Sequence, residues 1–188
     1  MASLRLSADL GASAARAIHD LALGALVGGN LFGRVAFNTA LEDVSDKSER
    51  GRVLNRAWRR YGTVNSLALV ALLGGWLPVR TSRSGSLSQR ERRLTTAKDL
   101  AVGAVVVSGL ASAASGVRFS QQAPGGAVPM TSGHEAAPEA PVQAARLKRL
   151  VNALGSLNLV AELALVAINA SLAQARRPTV RRLGRRGP

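Results

Sequence analysis

The chain has 188 residues, 47% of them hydrophobic but only 3% aromatic, and a formal net charge of +14. Cysteine is missing altogether, which excludes disulfides and thiolate metal sites. With so few aromatics a large soluble core would have to be filled by Ala, Leu and Val, whereas the apolar residues collect in four blocks separated by charged segments, the layout of a polytopic membrane protein.

A soluble helical bundle with unusually long apolar helices is the alternative. The basic residues are nearly all arginine, with Lys47, Lys98 and Lys148 the lysines, and Arg, Ala and Gly in such excess over Lys suggest a GC-rich bacterial genome. Nucleic-acid binders share a high positive charge but set it among aromatics on a soluble face. Here the arginines flank apolar spans, where anionic lipid headgroups attract them. The lipid bilayer is therefore the expected partner, and nucleic acid is not.

Residues 1–16 read as a short retained tail, because no compact apolar core precedes a small-residue cleavage site. Residues 17–42, AIHDLALGALVGGNLFGRVAFNTALE, form the first predicted span, and a bilayer needs only about 20 residues. This span carries His19, Asp20, Asn30, Arg34 and Asn38. On an α-helix Asn30, Arg34 and Asn38 recur at i, i+4 and i+8, and His19 falls close to the same stripe. Gly24, Gly28, Gly29 and Gly33 lie mostly on other sides, at small-xxx-small spacings that let a neighbouring helix approach. An arginine facing lipid is costly, so the stripe should face protein or water.

In 41–62, LEDVSDKSERGRVLNRAWRRYG, Asp46 and Glu49 have capping-box spacing, so a helix should start near Lys47. Val53, Leu54, Ala57, Trp58 and Tyr61 then recur at helical spacing opposite Arg52, Arg56, Arg59 and Arg60. That pattern predicts a short amphipathic helix at the headgroup level, anchored by Trp58 and Tyr61. The second span is expected near 62–80, ended by Pro78 and Arg80. A polar loop follows, with Ser88 and Glu91 repeating the capping-box signature.

The third span, near 97–117, is rich in small residues suited to close helix contacts. Residues 118–141 read as a linker broken by Pro124, Gly125, Gly126, Pro129, Pro138 and Pro141. The fourth helix should start near Pro141 or Val142 and span about 148–174. The tail 176–188 is basic and expected to be disordered or to lie on headgroups. Segments 1–16, 80–98 and 176–188 carry 14 basic residues, against 10 in 42–62 and 118–149. That bias places both termini in the cytoplasm of a bacterial plasma membrane.

Two stretches align without gaps, residues 19–27 (HDLALGALV) with 98–106 (KDLAVGAVV), identical at six of nine positions. Gly62-Thr-Val-Asn65 and Gly155-Ser-Leu-Asn158 echo each other more faintly. The fold class expected is all-α, a four-helix transmembrane bundle compatible with two tandem helical hairpins. The aligned pairs Arg34/Ala113 and Glu162/Leu69 differ, so the charges within spans are not shared between the halves.

Glu162 sits near the middle of the fourth span, with Asn158 and Asn169 close to its face and Gly155 leaving space. Helices 1 and 4 run antiparallel in this layout. Rise per residue then brings Asn30 level with Glu162, Arg34 near Asn158 and His19 near Asn169. The candidate site is a polar seam of His19, Asn30, Arg34, Asn38, Asn158, Glu162 and Asn169, in which Arg34 reaches Glu162. At the inner rim Asp20 is expected to pair with Lys98, and Asp99 with His19. No catalytic, cofactor or metal motif accompanies it. The two histidines, His19 and His134, fall on opposite sides of the membrane, with His134 expected in solvent.

The four-span layout, the GGNLFGRVAFN of the first helix and the WRRYG…N entry to the second resemble small bacterial four-helix membrane proteins. They are distantly similar to the anthrone-oxygenase-like membrane group. The resemblance covers the helices, includes no catalytic motif, and implies architecture only. The expected function is that of a binding or structural/interaction protein in the membrane, leaving a homo-oligomer open. The alternative is a membrane enzyme or small-solute permease that works through the Arg34–Glu162 seam.

Overall fold

The computed structural model of the protein describes residues 2–81 and 87–175; the basic tail 176–188 and the middle of the polar loop lie outside the described residues. Four long helices account for nearly all of it: α1 (Ala2–Phe32), α2 (Lys47–Thr81), α3 (Gln89–Ser120) and α4 (Val142–Ala175). Beyond Phe32, α1 continues through a π-helical turn at Gly33–Phe37, a short α segment at Asn38–Ala40 and a 3-10 turn at Leu41–Asp43. At 1.5 Å per residue α2, α3 and α4 are roughly 50 Å long, well beyond the ~30 Å hydrocarbon core of a bilayer.

The helix starts follow local chemistry. Asp46 Oδ1 accepts from the Glu49 N–H at 2.6 Å where α2 begins, and Ser88 with Glu91 forms a reciprocal capping box at α3. Pro141 directly precedes α4.

Packing is densest between α1 and α2 and between α3 and α4, so the chain forms two antiparallel hairpins. They meet mainly through α1 on α4, with a slighter contact of α2 on α3. One core lies midway along the helices, where Leu23, Leu26, Leu72, Val105 and Leu165 interlock with Trp76. A second lies at one end, built from Leu41, Leu54, Phe119, Val128, Met130 and Leu147.

Three expectations change. The amphipathic stretch after the first span is no separate interfacial helix, because α2 runs unbroken from Lys47 to Thr81. Its aromatics turn toward α1, although Trp58 stays partly exposed. The Tyr61 hydroxyl donates to the Ala25 carbonyl at 2.9 Å. A Cβ on Gly29 would fall 1.6 Å from the Tyr61 oxygen, and one on Gly33 2.5 Å from the Trp58 ring. Two glycines four residues apart thus open the groove that receives both rings. Nothing lies within 4 Å of a Cβ at Gly24 or Gly28, so those two are not part of it.

Pro78 does not end α2 either. The helix passes it to Thr81, whose hydroxyl lies 3.1 Å from the Leu77 carbonyl and 3.3 Å from that of Pro78. A proline removes a bond to the turn before it but leaves the residues after it free to stay helical.

The third change is the largest. Residues 121–141 are a fitted cap over the end of the bundle. Val128 and Met130 are fully buried there. Gly125 and Gly126 take φ of 62° and 75°, which glycine adopts without strain. The cap's irregular backbone is satisfied from the helices. Met130 N donates to the Lys47 carbonyl at 3.0 Å, Gly133 N to that of Asn38 at 3.2 Å, and Asn55 Nδ2 to that of Gly126 at 2.7 Å. The Arg50 guanidinium donates to the carbonyls of Glu42, Val44 and Thr131, tying the α1–α2 turn to the cap. A Pro- and Gly-rich segment holds one conformation here because its aliphatics find a core and its carbonyls find donors.

Candidate functional site

Glu162, only 1% exposed, is the centre of the buried polar groups. Its Oε1 accepts from Asn158 Nδ2 at 2.6 Å and its Oε2 from Asn30 Nδ2 at 3.4 Å. The Ser108 hydroxyl of α3 donates to Asn158 Oδ1 at 2.8 Å. On the other side, Asn30 Oδ1 accepts from Arg34 Nε at 3.1 Å, and a terminal nitrogen of Arg34 donates to the Asn152 carbonyl at 3.2 Å. Gly155 is what admits the guanidinium, since a Cβ there would stand 2.9 Å from it.

Arg34 and Glu162 do not touch. Among the described residues the ion pairs are Lys47–Glu139, Arg52–Glu49 and Arg80–Asp99. Asn30 stands between the two charges, and its orientation follows from them. A guanidinium only donates and a carboxylate only accepts, so the amide oxygen must face Arg34 and the amide nitrogen Glu162. The amide dipole carries the pairing that a direct salt bridge would have made.

The stripe Asn30–Arg34–Asn38 does not survive as one row. The Asn38 N–H bonds back to the Gly33 carbonyl, five residues away, and that extra residue in the turn rotates everything beyond it. Arg34 faces α4 while Asn38 faces the cap, where Gly133 packs against its backbone. His134 sits above the bulge. Its Nε2 lies 3.3 Å from the Arg34 carbonyl and its Nδ1 3.5 Å from Asn38 Nδ2, both satisfied if Nε2 carries the proton. Asn152 Nδ2 donates to the His134 carbonyl at 2.7 Å, joining cap and seam. His134 is exposed, as expected for its loop, yet held by three contacts.

The end of the seam at His19 also differs. His19 is buried against α2, where its Nδ1 lies 2.8 Å from the Leu72 carbonyl and Gly75 makes room for it. Asp20 instead meets α4, accepting from Asn169 Nδ2 at 2.9 Å. The reason is that α1 crosses its neighbours, so one face meets α4 near Asn30 and α2 near His19. Neither expected rim pair forms. Asp99 accepts from Arg80 Nε at 3.1 Å, and the Lys98 ammonium stands 4.3 Å over the Trp76 ring.

Ser108, Asn152 and His134 were not among the seam residues read from the sequence. Asn152 had a signal, being a third asparagine near the seam face of one apolar helix. Ser108 had none, as one hydroxyl among several in a small-residue helix.

Fold and seam together define an all-helical protein with a polar network enclosed between two hairpins, and two of its helices, α3 and α4, are long and apolar enough to cross a membrane. Comparison with protein-family models, with curated proteins and with solved structures finds no match.

Proposed function

We propose that the protein is a four-span integral membrane protein of the binding or structural/interaction class, in which the Glu162–Asn30–Arg34 seam holds the two hairpins together. The observation that carries this reading is a carboxylate 1% exposed with hydrogen bonds on both oxygens. A charge group enclosed and paired in this way stabilises one packing of the helices and leaves no open face for a substrate.

Support for spans in α1 and α2 comes from what they turn outward. Leu21, Phe32 and Val35 on α1 and Val64, Leu67 and Val70 on α2 are exposed, continuous in kind with Leu100, Val107 and Leu110 on α3 and Val160 and Leu163 on α4. Of the polar groups in the apolar part of α1, His19 is buried and Asn30 and Arg34 are half-buried against other helices, as membrane-buried polar groups are, while Asp20 is exposed. The apolar stretches of α3 and α4 are only 33% and 22% buried within the molecule, which leaves most of their surface to lipid. The basic-residue bias supports a bacterial plasma membrane with both termini in the cytoplasm and the cap outside. The resemblance to the anthrone-oxygenase-like group bears on this architecture alone.

A second reading, a membrane enzyme or small-solute permease, draws on a different observation. Among the described residues, His19 Nε2, Asn38 Oδ1 and Asn169 Oδ1 are buried without a partner, near the two ends of the seam. Single-cysteine variants separate the readings, since the chain has no cysteine of its own. In carbonate-washed membranes Ser132→Cys in the cap should react with a charged thiol reagent from the outer side only, and Ser108→Cys in the seam should stay unreactive. Reaction of Ser108→Cys at the rate of Ser132→Cys would put water in the seam and favour the permease. Recovery of the chain in the soluble fraction would end both readings.

A further inference from the structure

Away from the seam, α2 and α3 part to leave an open groove of about 780 Å³. Leu73, Trp76 and Leu77 form one wall and Val102, Gly103 and Val106 the other, while Arg80, Thr81 and Asp99 stand at the mouth. We infer that this groove holds an acyl chain of an anionic phospholipid from the adjoining leaflet, with the lipid phosphate on Arg80. The inference rests on the membrane reading above.

Length chooses the occupant. The groove runs from Leu73 to Thr81 on α2 and from Asp99 to Val107 on α3, about 12 Å along each. It is blind at its inner end, because Leu69 packs against Gly109, 3.7 Å from the position of a Cβ there. A helix from a second copy would need a furrow through the whole ~30 Å core, whereas one leaflet is roughly half of that. The groove is the depth of a leaflet.

Charge chooses the headgroup. Asp99 takes the Nε of Arg80, and among the described residues nothing takes the terminal nitrogens of this half-exposed guanidinium, which suit phosphate oxygens. Arg90, Arg92 and Arg93 are exposed on the first turns of α3, and Lys98 lies on the Trp76 ring. Lys98 is buried with Asp20 acting on it, and Arg90 lies on the far face of α3, so the exposed charges near the mouth are Arg80, Arg92 and Arg93 against Glu91 and Asp99; the balance is positive and favours an anionic lipid over a zwitterionic one.

The test uses the full chain purified in detergent, with dioleoylphosphatidylglycerol and dioleoylphosphatidylethanolamine as probes. Native mass spectrometry should find one phosphatidylglycerol per chain, retained several-fold better than phosphatidylethanolamine. Gly103→Phe fills the groove without meeting protein, since nothing lies within 4 Å of a Cβ there. It should remove that adduct at least five-fold and leave the melting temperature unchanged. Arg80→Gln should erase the preference between the two lipids.

An independent readout needs no groove variant. In Trp58→Phe the sole remaining tryptophan is Trp76, and brominated-chain phosphatidylglycerol should quench it several-fold more than the brominated phosphatidylethanolamine does. Equal retention of both lipids, untouched by Gly103→Phe, overturns the inference. So does a dimer that Gly103→Phe dissociates, which would give the groove to a second copy. A chain that resists carbonate extraction but fails these tests loses only the lipid site; a chain released by carbonate loses the membrane reading itself.

Discussion

The seam and the cap both bury polar groups, and they do so with opposite materials. In the seam, side chains satisfy mainly side chains: Ser108 to Asn158, Asn158 and Asn30 to Glu162, Arg34 to Asn30, with the carbonyls of Asn152 and Gly155 taking further donors of Arg34 and Asn30. In the cap, side chains satisfy backbone: Arg50 holds three carbonyls, and Asn55 and Asn152 one each. The seam's stability therefore depends on balanced charge among a few groups. The cap's depends on close approach of main chain to main chain, as where Gly51 leaves no room for a Cβ beside the Val128 carbonyl. Removing a charge should break the first, and adding volume should break the second.

The largest effect is expected in the seam. Arg34→Leu leaves Glu162 without its counter-charge, and Glu162→Leu strands the guanidinium, each at less than the roughly 3–5 kcal/mol of a direct buried pair broken on one side, since Asn30 separates the two. The double variant leaves no lone charge and should recover much of the loss in detergent melting temperature. Because Asn30 carries the coupling, Asn30→Leu should weaken it, so that Arg34→Leu and Glu162→Leu approach additivity in that background. Full additivity in the wild-type background would mean that the two charges do not interact through Asn30.

Next comes the cap. A leucine at Gly51 would press its Cβ to 1.9 Å from the Val128 carbonyl oxygen, which is backbone and cannot swing aside. The cost of such overpacking is about 1–3 kcal/mol, and it should appear as proteolysis within 121–141 while Ser108→Cys stays protected. Loss of that protection would show seam and cap to be one cooperative unit, and the comparison drawn above would fail. Asn55→Ala is milder, about 1 kcal/mol at the low end for a buried carbonyl left without its donor, read as faster amide exchange around Gly126.

The same contrast explains what was legible beforehand. Arg34 and Glu162 stand out because ionisable residues inside apolar runs are rare, and rise per residue alone puts Asn30 level with Glu162. What stayed hidden was set by geometry between helices or within a turn. The π-helical turn at Gly33–Phe37 moves Asn38 off the row, and helix crossing sends His19 to Leu72 while Asp20 takes Asn169. Trp58 and Tyr61 have the spacing of interface anchors, and only the pairing of α2 with Gly29 and Gly33 shows that they also pack on α1. The cap was least legible of all. Its order comes from contacts with residues 38–55, far away in sequence, while its own composition is that of a loop.

The smallest effect sharpens the comparison at the cap's outer edge. Lys47 Nζ lies 2.9 Å from Glu139 Oε1 with both side chains about half exposed, and the hydrogen bond from Lys47 holds the Glu139 carboxyl below its ordinary 4.5. A carboxyl whose value is lower in the folded cap than in the open one binds its proton less readily when folded. Its contribution is thus complete above 4.5 and is lost as the pH falls from there through the lowered value. Exposure to solvent screens the pair, so the change should be slight and smaller still in high salt. Amide exchange at Met130, whose N–H bonds the Lys47 carbonyl, should quicken modestly as the pH is taken below 4.5, after correction for the intrinsic pH dependence of exchange. Glu139→Gln should remove that increment without altering exchange near Glu162. An increment that persists in Glu139→Gln would assign the acid sensitivity of the cap to another group, and the Lys47–Glu139 pair would then hold nothing in place.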